Sequence, residues 1–485
     1  MKKNTGIFLL PGPVTVLILL PLLFLQDCAG PEEQQRPNIV YVIVDQMASD
    51  AMSCAGNPLV STPSLDRLAG DGVRFDRAYC AFPLCVPSRA AMFTGRMPHE
   101  AGIYVNTNII RDEELPFETL AWKLNDGGYQ THYIGKWHLT IPMDDSARHG
   151  FQQVEHPGVH GFDSVNARLA VEFLRQKHVK PFFLCVSFMN PHDCCWLVLG
   201  QDLSELEGPI PALPATDKLP PLPDNFGIPE GEPDYIRRWQ EENSERIYPS
   251  FYWDETQFRA YQWQYYRLVE KVDSLLGRVF DAVYASPDAG NTIIIFSSDH
   301  GDGSSRHHWN QKWSAYDESA KVPFIIAGKP VRKKGTSDSR LVSSGLDLLP
   351  TVCDYAGVNP PEKISGRSLR PLLDDRPEGA WRKYVVTEIS FGSWVDSYHT
   401  DTFPRARMLR TEDYKYVVFD HGMIREQLID MQNDPGEMKN LAMDPAYGAV
   451  LDEHRKYLKE WIELTGDSFR PDTDGQPQLK SGNID

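Results

Sequence analysis

Asn38-Ile39-Val40-Tyr41-Val42-Ile43-Val44 is, after its first residue, wholly apolar and rich in β-branched side chains, and it stops at Asp45-Gln46. An unbroken apolar run suits a strand covered on both faces, as in a parallel sheet. The figure recurs. Gln130 to Ile134 runs into Gly135-Lys136-Trp137-His138, Pro181 to Phe188 into Asn190-Pro191-His192-Asp193, and Thr292 to Phe296 into Ser297-Ser298-Asp299-His300-Gly301. Helical patterns lie between them: Ser64 to Gly70, Pro116 to Asn125, Val165 to Lys177, and Glu255 to Ala285 with Leu268, Val272, Leu275 and Val279 on one face. The alternation predicts an α/β fold, a large mostly parallel sheet sandwiched by helices. Ligands bind beyond the carboxyl ends of such strands. Four strand ends therefore bring polar residues to one rim.

At 485 residues the chain has room for one large domain and a smaller one. Beyond Pro350 a helical segment closes the first, giving expected bounds of 36–370. Strand patterns at Lys383 to Thr387, Ala406 to Arg410 and Tyr414 to Phe419, then a helix from Ala449 to Leu464, predict a C-terminal α+β domain with an antiparallel sheet over 371–485. The proline-rich stretch between about 200 and 250 reads as a surface excursion without regular structure that frames a cleft or simply lies on the surface.

Lys2 and Lys3, followed by an apolar run from Val14 to Leu25 broken by Pro21, read as a secretory signal over residues 1–27. Leu25-Gln26-Asp27-Cys28 loosely resembles a lipoprotein cleavage box, with Asp27 where a small residue is expected. The expected location is outside the cytoplasm, periplasmic or tethered at the cell surface by a lipid on Cys28. Eight cysteines are too sparse for a disulfide framework and include no paired CxxC zinc site. A net charge of -18 excludes general binding to nucleic acid or to anionic membrane. An anionic substrate would need a concentrated cationic pocket.

Asp45, Gln46, Asp299 and His300 offer two carboxylates, an amide oxygen and an imidazole. One acid at a strand end is commonly a helix cap or a loop hydrogen bond, whereas two aspartate-led pairs point to a hard divalent cation. Oxygen donors favour Ca²⁺ or Mg²⁺ over zinc, with His300 the discordant ligand. Lys136, His138, His192, Lys312 and Arg89 add cations and proton carriers suited to a tetrahedral oxyanion. In Cys85-Val86-Pro87-Ser88-Arg89-Ala90-Ala91-Met92-Phe93-Thr94-Gly95-Arg96, Pro87 suits a first helical turn and Gly95 the end. Cys85 would then stand just ahead of a helix N-terminus, where anions are favoured. No acid or histidine flanks it in the chain to activate a thiol nucleophile. Taken alone, it would be an inert buried cysteine.

The Cys-x-Pro-Ser-Arg segment with Ala-Ala-Met-Phe-Thr-Gly-Arg resembles the signature of the formylglycine-dependent sulfatases, in the alkaline phosphatase superfamily. The likeness extends through Pro37-Asn38-Ile39 to Asp45, Gly135 to His138, Asn190-Pro191-His192, Ser298 to Gly301, Lys312 to Tyr316, Val322-Pro323-Phe324, and Asp430 to Leu441. Bacterial glycan sulfatases, arylsulfatases and iduronate 2-sulfatase are the similar members. The resemblance implies that a maturation enzyme oxidises Cys85 to formylglycine (3-oxoalanine), whose hydrate attacks sulfur, so no thiolate partner is needed. It implies that Asp45, Gln46, Asp299, His300 and modified Cys85 hold the cation, Ca²⁺ ahead of Mg²⁺. Arg89 would steady that region, Lys136 would bind sulfate, His138 would take a proton during sulfate release, and His192 and Lys312 would contact sulfate and assist the leaving alcohol. The spacing of His307 from Lys312 resembles that in some glycan-acting members, which makes His307 or His308 a candidate substrate contact; solvated surface histidines are the other reading. Many members carry two adjacent aspartates where this chain has Asp45-Gln46, and some carry Asn where it has His300.

The expected activity is a sulfuric ester hydrolase acting on a sulfated saccharide or another sulfate ester. The alternatives are a phosphonate or phosphate monoester hydrolase of the same superfamily and a non-catalytic glycan-binding lipoprotein with Cys85 unmodified.

Overall fold

The computed structural model describes residues 36–106, 117–158, 160–200, 210–244, 248–374, 379–391 and 404–471, with positions 1–3, 6 and 12. Apart from those five positions the expected signal segment, and Cys28 with it, lies outside the described residues. β1 (Asn38–Asp45) is buried along its whole length, and its side chains alternate between two cores. Val40, Val42 and Val44 join the long helix Glu255–Ala285, through Leu268, Val272, Leu276 and Val279, and the helices Pro63–Gly70 and Asp163–Leu174. Ile39, Tyr41 and Ile43 point the other way, to the helices Cys85–Thr94, Leu120–Asp126 and Ser344–Ala356. This double covering is why the strand carries no polar alternation.

β2 (Gly72–Phe75), β4 (Gln130–Gly135), β5 (Gln153–Glu155), β6 (Phe182–Pro191), β7 (Thr292–Ser298), β8 (Phe324–Ala327) and β9 (Thr336–Asp338) complete an eight-stranded sheet. Its order is β5-β4-β6-β1-β7-β8-β2-β9. Every pairing is parallel except those of β8, which runs against β7 and β2. β3 (Ala78–Tyr79) and β10 (Val342–Ser343) form a separate parallel pair. Among the described residues no helix is long and apolar enough to cross a membrane.

The helix expected beyond Pro350 begins earlier, at Ser344, and takes the proline into its interior. Pro350 has no N–H for the Leu346 carbonyl. Gly366 lies against that carbonyl so closely that a Cβ there would stand 1.9 Å from the oxygen.

β11 (Val385–Ser390), β12 (Arg405–Arg410), β13 (Tyr414–Phe419) and β14 (Glu426–Asp430) form an antiparallel sheet in sequence order. β14 escaped the sequence reading. One face of this sheet packs on the helix Gly448–Thr465 through Leu451, Leu458, Trp461 and Ile462. The other face, with Ile389, Met408, Val417 and Phe419, meets Trp309, Trp313, Tyr248 and Trp239. β11 is also tied to the segment leading to Cys85, since Glu388 N–H donates to the Ala81 carbonyl (2.9 Å) and the Thr387 hydroxyl to that of Cys80 (2.7 Å).

The 200–250 excursion is corrected in part. It contains a helix, Asp234–Glu242, starting directly after Pro233, with Ile236, Trp239 and Gln240 buried. Its Ile236 and Trp239 share the core beneath the C-terminal sheet.

Candidate active site

β4, β6, β1 and β7 are neighbours in that order and run parallel. Their carboxyl ends present Lys136 and His138, His192, Asp45 and Gln46, and Asp299 and His300. Gly135 makes the exit from β4 passable. Its φ is +103°, and a Cβ would sit 2.0 Å from the Ser187 carbonyl oxygen. Gln46 and His138 leave their strands with left-handed φ of 67° and 43°. Gln46 is pinned on both sides of its backbone, its N–H donating to Asp299 Oδ1 (3.1 Å) and its carbonyl accepting from the Tyr265 hydroxyl (2.9 Å).

Cys85 is the first residue of its helix and is fully buried. The partners missing from its sequence neighbourhood arrive from elsewhere. Lys312 Nζ and His300 Nε2 each lie 3.2 Å from Sγ, and Asp45 Oδ1 lies at 3.7 Å. Burial and Asp45 push the thiol up, but Lys312, Lys136 and His300 outweigh them and hold it well below the ordinary range. His300 Nδ1 donates to the Gly301 carbonyl (2.9 Å), so Nε2 is the nitrogen facing the cluster.

Beneath the cluster lies Arg89, wholly buried. Its Nε donates to Asp299 Oδ2 (2.8 Å), Nη2 to Asp45 Oδ2 (3.1 Å) and Nη1 to Ser187 Oγ (2.8 Å). Lys136 Nζ reaches the same Asp45 oxygen at 2.6 Å. Burial raises Asp45, yet Lys136, His192, Arg89 and His300 bring it well below the usual carboxylate range. Asp299 is pushed up to about 6 by burial and by the charge of Asp45. Arg89 thus spends its donors on these two carboxylates and on Ser187.

Ligand atoms of Asp45, Cys85, Asp299 and His300 all lie within 4.8 Å of one another. Two buried carboxylates facing a common point, with Gln46 alongside, form an oxygen-rich donor set that fits a hard divalent cation. Around it, His138 Nδ1, His192 Nδ1 and Gln311 Nε2 are buried without a hydrogen-bond partner. Burial and Lys136 lower His138 to about 4, so its imidazole is neutral at physiological pH. Burial also lowers His192, but Cys195 and Asp45 overcome this and carry it up to about 9.

Lys312 is delivered by a loop in which Ser304, Ser305, His307, His308, Gln311 and Trp313 all have positive φ. Six left-handed non-glycine residues hold only if the surroundings over-determine them. Tyr248 OH (2.5 Å) and Trp309 Nε1 (3.1 Å) both donate to the Lys312 carbonyl. Arg237 Nη2 donates to the His307 carbonyl (2.6 Å) and Gln240 Nε2 to that of His308 (2.7 Å). The helix Asp234–Glu242 therefore braces the loop that carries Lys312.

His307 is not brought to the rim as a free side chain. Its Nδ1 pairs with Glu318, its Nε2 lies 2.8 Å from the Gly436 carbonyl, and its ring stacks on Tyr316. Both ring nitrogens are used internally, which corrects the expectation of a substrate contact. His308 packs its ring against Phe226 and Phe258, at centroid distances of 5.0 and 4.5 Å. Cys195 and Gln311 were missed. Cys195 Sγ lies 2.9 Å from Gln311 Oε1 and 3.8 Å from His192 Nε2. Their chain neighbours, His192 and Lys312, were the available signal.

The sulfatase family model matches residues 37–358, and that of the N-sulphoglucosamine sulphohydrolase C-terminal region matches residues 305–463. The Delta 4,5-hexuronate-2-O-sulfatase of Bacteroides thetaiotaomicron is 32% identical over 476 residues, covering 93% of this chain and 94% of that protein. The N-acetylglucosamine-6-O-sulfatase of the same organism is 27% identical over 546 residues, covering 97% and 93%. A solved structure of a 2-O GAG sulfatase has a TM-score of 0.78 at 30% identity and covers 91% of this chain and 95% of its own. The mixed sheet with its smaller C-terminal sheet is thus the alkaline phosphatase-like architecture expected above. With its strand-end cluster intact and the family model spanning most of its length, this chain belongs to the sulfatase family and is a sulfatase enzyme.

Proposed function

We propose that the protein removes sulfate from a sulfated glycan, with residue 85 working as formylglycine and a divalent cation, Ca²⁺ ahead of Mg²⁺, held by Asp45, Gln46, Asp299, His300 and residue 85. The observation that carries this reading is the convergence of Lys312, His300 and Asp45 on the Cys85 side chain, buried at the head of a helix. The glycan substrate is supported by the names of the relatives, a Delta 4,5-hexuronate-2-O-sulfatase and an N-acetylglucosamine-6-O-sulfatase. A hydrated formylglycine at position 85 would supply an oxygen nucleophile for sulfur, and a cation held by Asp45, Gln46, Asp299 and His300 would offset the developing charge.

The remaining work falls to this chain's own side chains. Lys136 and Lys312 bind the sulfate oxygens and offset the charge of the transferring group. His138, neutral in its buried setting, would accept a proton from the hydrated residue 85 as sulfate leaves. His192, which stays protonated to higher pH, faces the leaving alcohol and hydrogen-bonds it. Arg89 keeps Asp45 and Asp299 aimed. The N-terminal segment supports export, so the substrate would be met outside the cytoplasm.

Peptide mass spectrometry of protein matured in its host should show 3-oxoalanine at position 85. A panel of defined sulfated saccharides, with an aryl phosphonate as control, should yield desulfated sugar. An intact thiol at position 85 with no desulfation would favour a binding protein. Faster turnover of the phosphonate than of every sulfate ester would move the reading to a phosphonate hydrolase.

A further inference from the structure

Gln46 stands between two charged side chains of opposite hydrogen-bonding character. Its Nε2 lies 2.7 Å from Asp302 Oδ2, and its Oε1 lies 3.2 Å from Lys312 Nζ. A carboxylate only accepts and an ammonium only donates. The carboxamide therefore has one permitted orientation, nitrogen toward Asp302 and oxygen toward the side where Lys312 also meets Cys85. A further partner agrees, since Gln311 Oε1 lies 3.3 Å from Nε2.

Asp302 is itself held without help from Gln46. The Tyr261 hydroxyl (2.7 Å) and Gln311 N–H (3.1 Å) donate to Oδ2, and Ser304 N–H (2.8 Å) donates to Oδ1. The carboxylate is completely buried, and its hydrogen-bond donors are all neutral. Such a group is costly to keep in a protein interior. An aspartate at position 46 would present an oxygen whichever way it turned, but a glutamine can face a cation with the wrong end. An inward amide nitrogen would aim two N–H hydrogens at the ion.

We propose that Asp302 is the positioning residue that turns the Gln46 carboxamide so that its oxygen faces the cation. This rests on the reading that Asp45, Gln46, Asp299 and His300 hold a divalent ion. It concerns how this chain serves that ion with a neutral ligand.

The test titrates Ca²⁺ alone, by calorimetry, into full-length wild-type protein and into the Asp302→Asn, Gln46→Glu and doubly substituted proteins. In the wild-type background, Asn at 302 can offer Gln46 either an oxygen or a nitrogen, so Asp302→Asn should weaken calcium binding by about 10–100-fold. In the Gln46→Glu background the wild-type Asp302 faces a second carboxylate, and Asp302→Asn supplies a donor instead. The same substitution should there tighten calcium binding. A merely structural role for Asp302 would not reverse sign between backgrounds. Unchanged affinity in the wild-type background, or equal weakening in both, overturns the proposal while leaving the cation reading intact. If Asp302→Asn alone does not fold, the Gln46→Glu protein is compared with the double variant, and no gain in affinity overturns the proposal. Wild-type protein that binds no calcium overturns the cation reading and the proposal together.

Discussion

Arg89 shows how tightly single residues are committed here. Its guanidinium separates two buried carboxylates at 2.8 and 3.1 Å and is itself inaccessible. Arg89→Met should cost about 3–5 kcal/mol, because Asp45 and Asp299 would face one another with one cation fewer. Arg89→Lys should recover little, since one ammonium cannot span both oxygens and Ser187. Thermal denaturation of the two variants beside wild type checks both. Lys136→Ala and Lys312→Ala should each lower kcat/KM by about 10²–10³, the loss of one charged donor to the transferring group, about 2.7–4 kcal/mol. Steady-state kinetics on a defined sulfated saccharide checks this, and a loss below tenfold would remove that residue from the sulfate site. Asp45, Lys136, His192 and Asp299 were legible in the sequence because each follows an apolar strand, and strand direction alone sends them to one rim. His307 was misread because what occupies its ring lies 11 and 129 residues away, at Glu318 and Gly436. No local spacing reports that.

The elements that brace the site were harder to read than those that build it. The helix Asp234–Glu242 was hidden by surrounding prolines, although Pro233 directly ahead of it is a proper helix-start residue. Arg237 reaches the His307 and His308 carbonyls at 2.6 and 3.4 Å and is anchored by Glu232 at 2.6 Å. Arg237→Leu should loosen the Lys312 loop and lower kcat by on the order of 10²-fold, the scale of a small misplacement at a reacting centre. Wild-type kcat in a folded Arg237→Leu protein would show that the loop holds without this brace. A second junction is pH-sensitive. His99 lies 2.6 Å from Glu388 Oε1 through Nδ1 and 3.3 Å from the Thr465 carbonyl through Nε2. Burial lowers its pKa, but the Glu388 hydrogen bond outweighs burial and leaves it above the ordinary 6.5. A raised histidine stabilises fully below about pH 6.5 and ceases to as pH rises through the folded value. The Tm gap between wild type and His99→Gln should therefore be widest below about pH 6.5 and narrow as pH rises above it. A constant gap would mean that the ring acts through packing on Trp461 alone.

Across the whole molecule, the alternation of apolar runs and helices was enough to read the layered α/β fold, because each run marks one buried strand. The contact between the C-terminal sheet and the Lys312 loop was not readable, since Met408, Val417 and Phe419 meet Trp309 and Trp313 only after the chain has closed. An ion bound only by the folded protein raises its stability, by about 2.7 kcal/mol at a hundred times its Kd. Calcium should thus raise Tm and a chelator lower it, as scanning calorimetry would show. The net charge of -18 opposes approach of any polyanion from a distance. Raising ionic strength from about 0.01 to 0.1 M shortens the screening length from about 30 to 10 Å. kcat/KM for a highly sulfated oligosaccharide should rise over that interval, whereas that for a singly sulfated sugar should change little. The bonds from Thr387 and Glu388 to Cys80 and Ala81, just ahead of a residue 85 with no exposed surface, have a consequence for biosynthesis. On the proposal that residue 85 becomes formylglycine, the oxidising enzyme would have to reach a side chain that is fully buried once β11 has docked. On that proposal oxidation would precede the docking of β11, and a chain that folded first would keep its thiol.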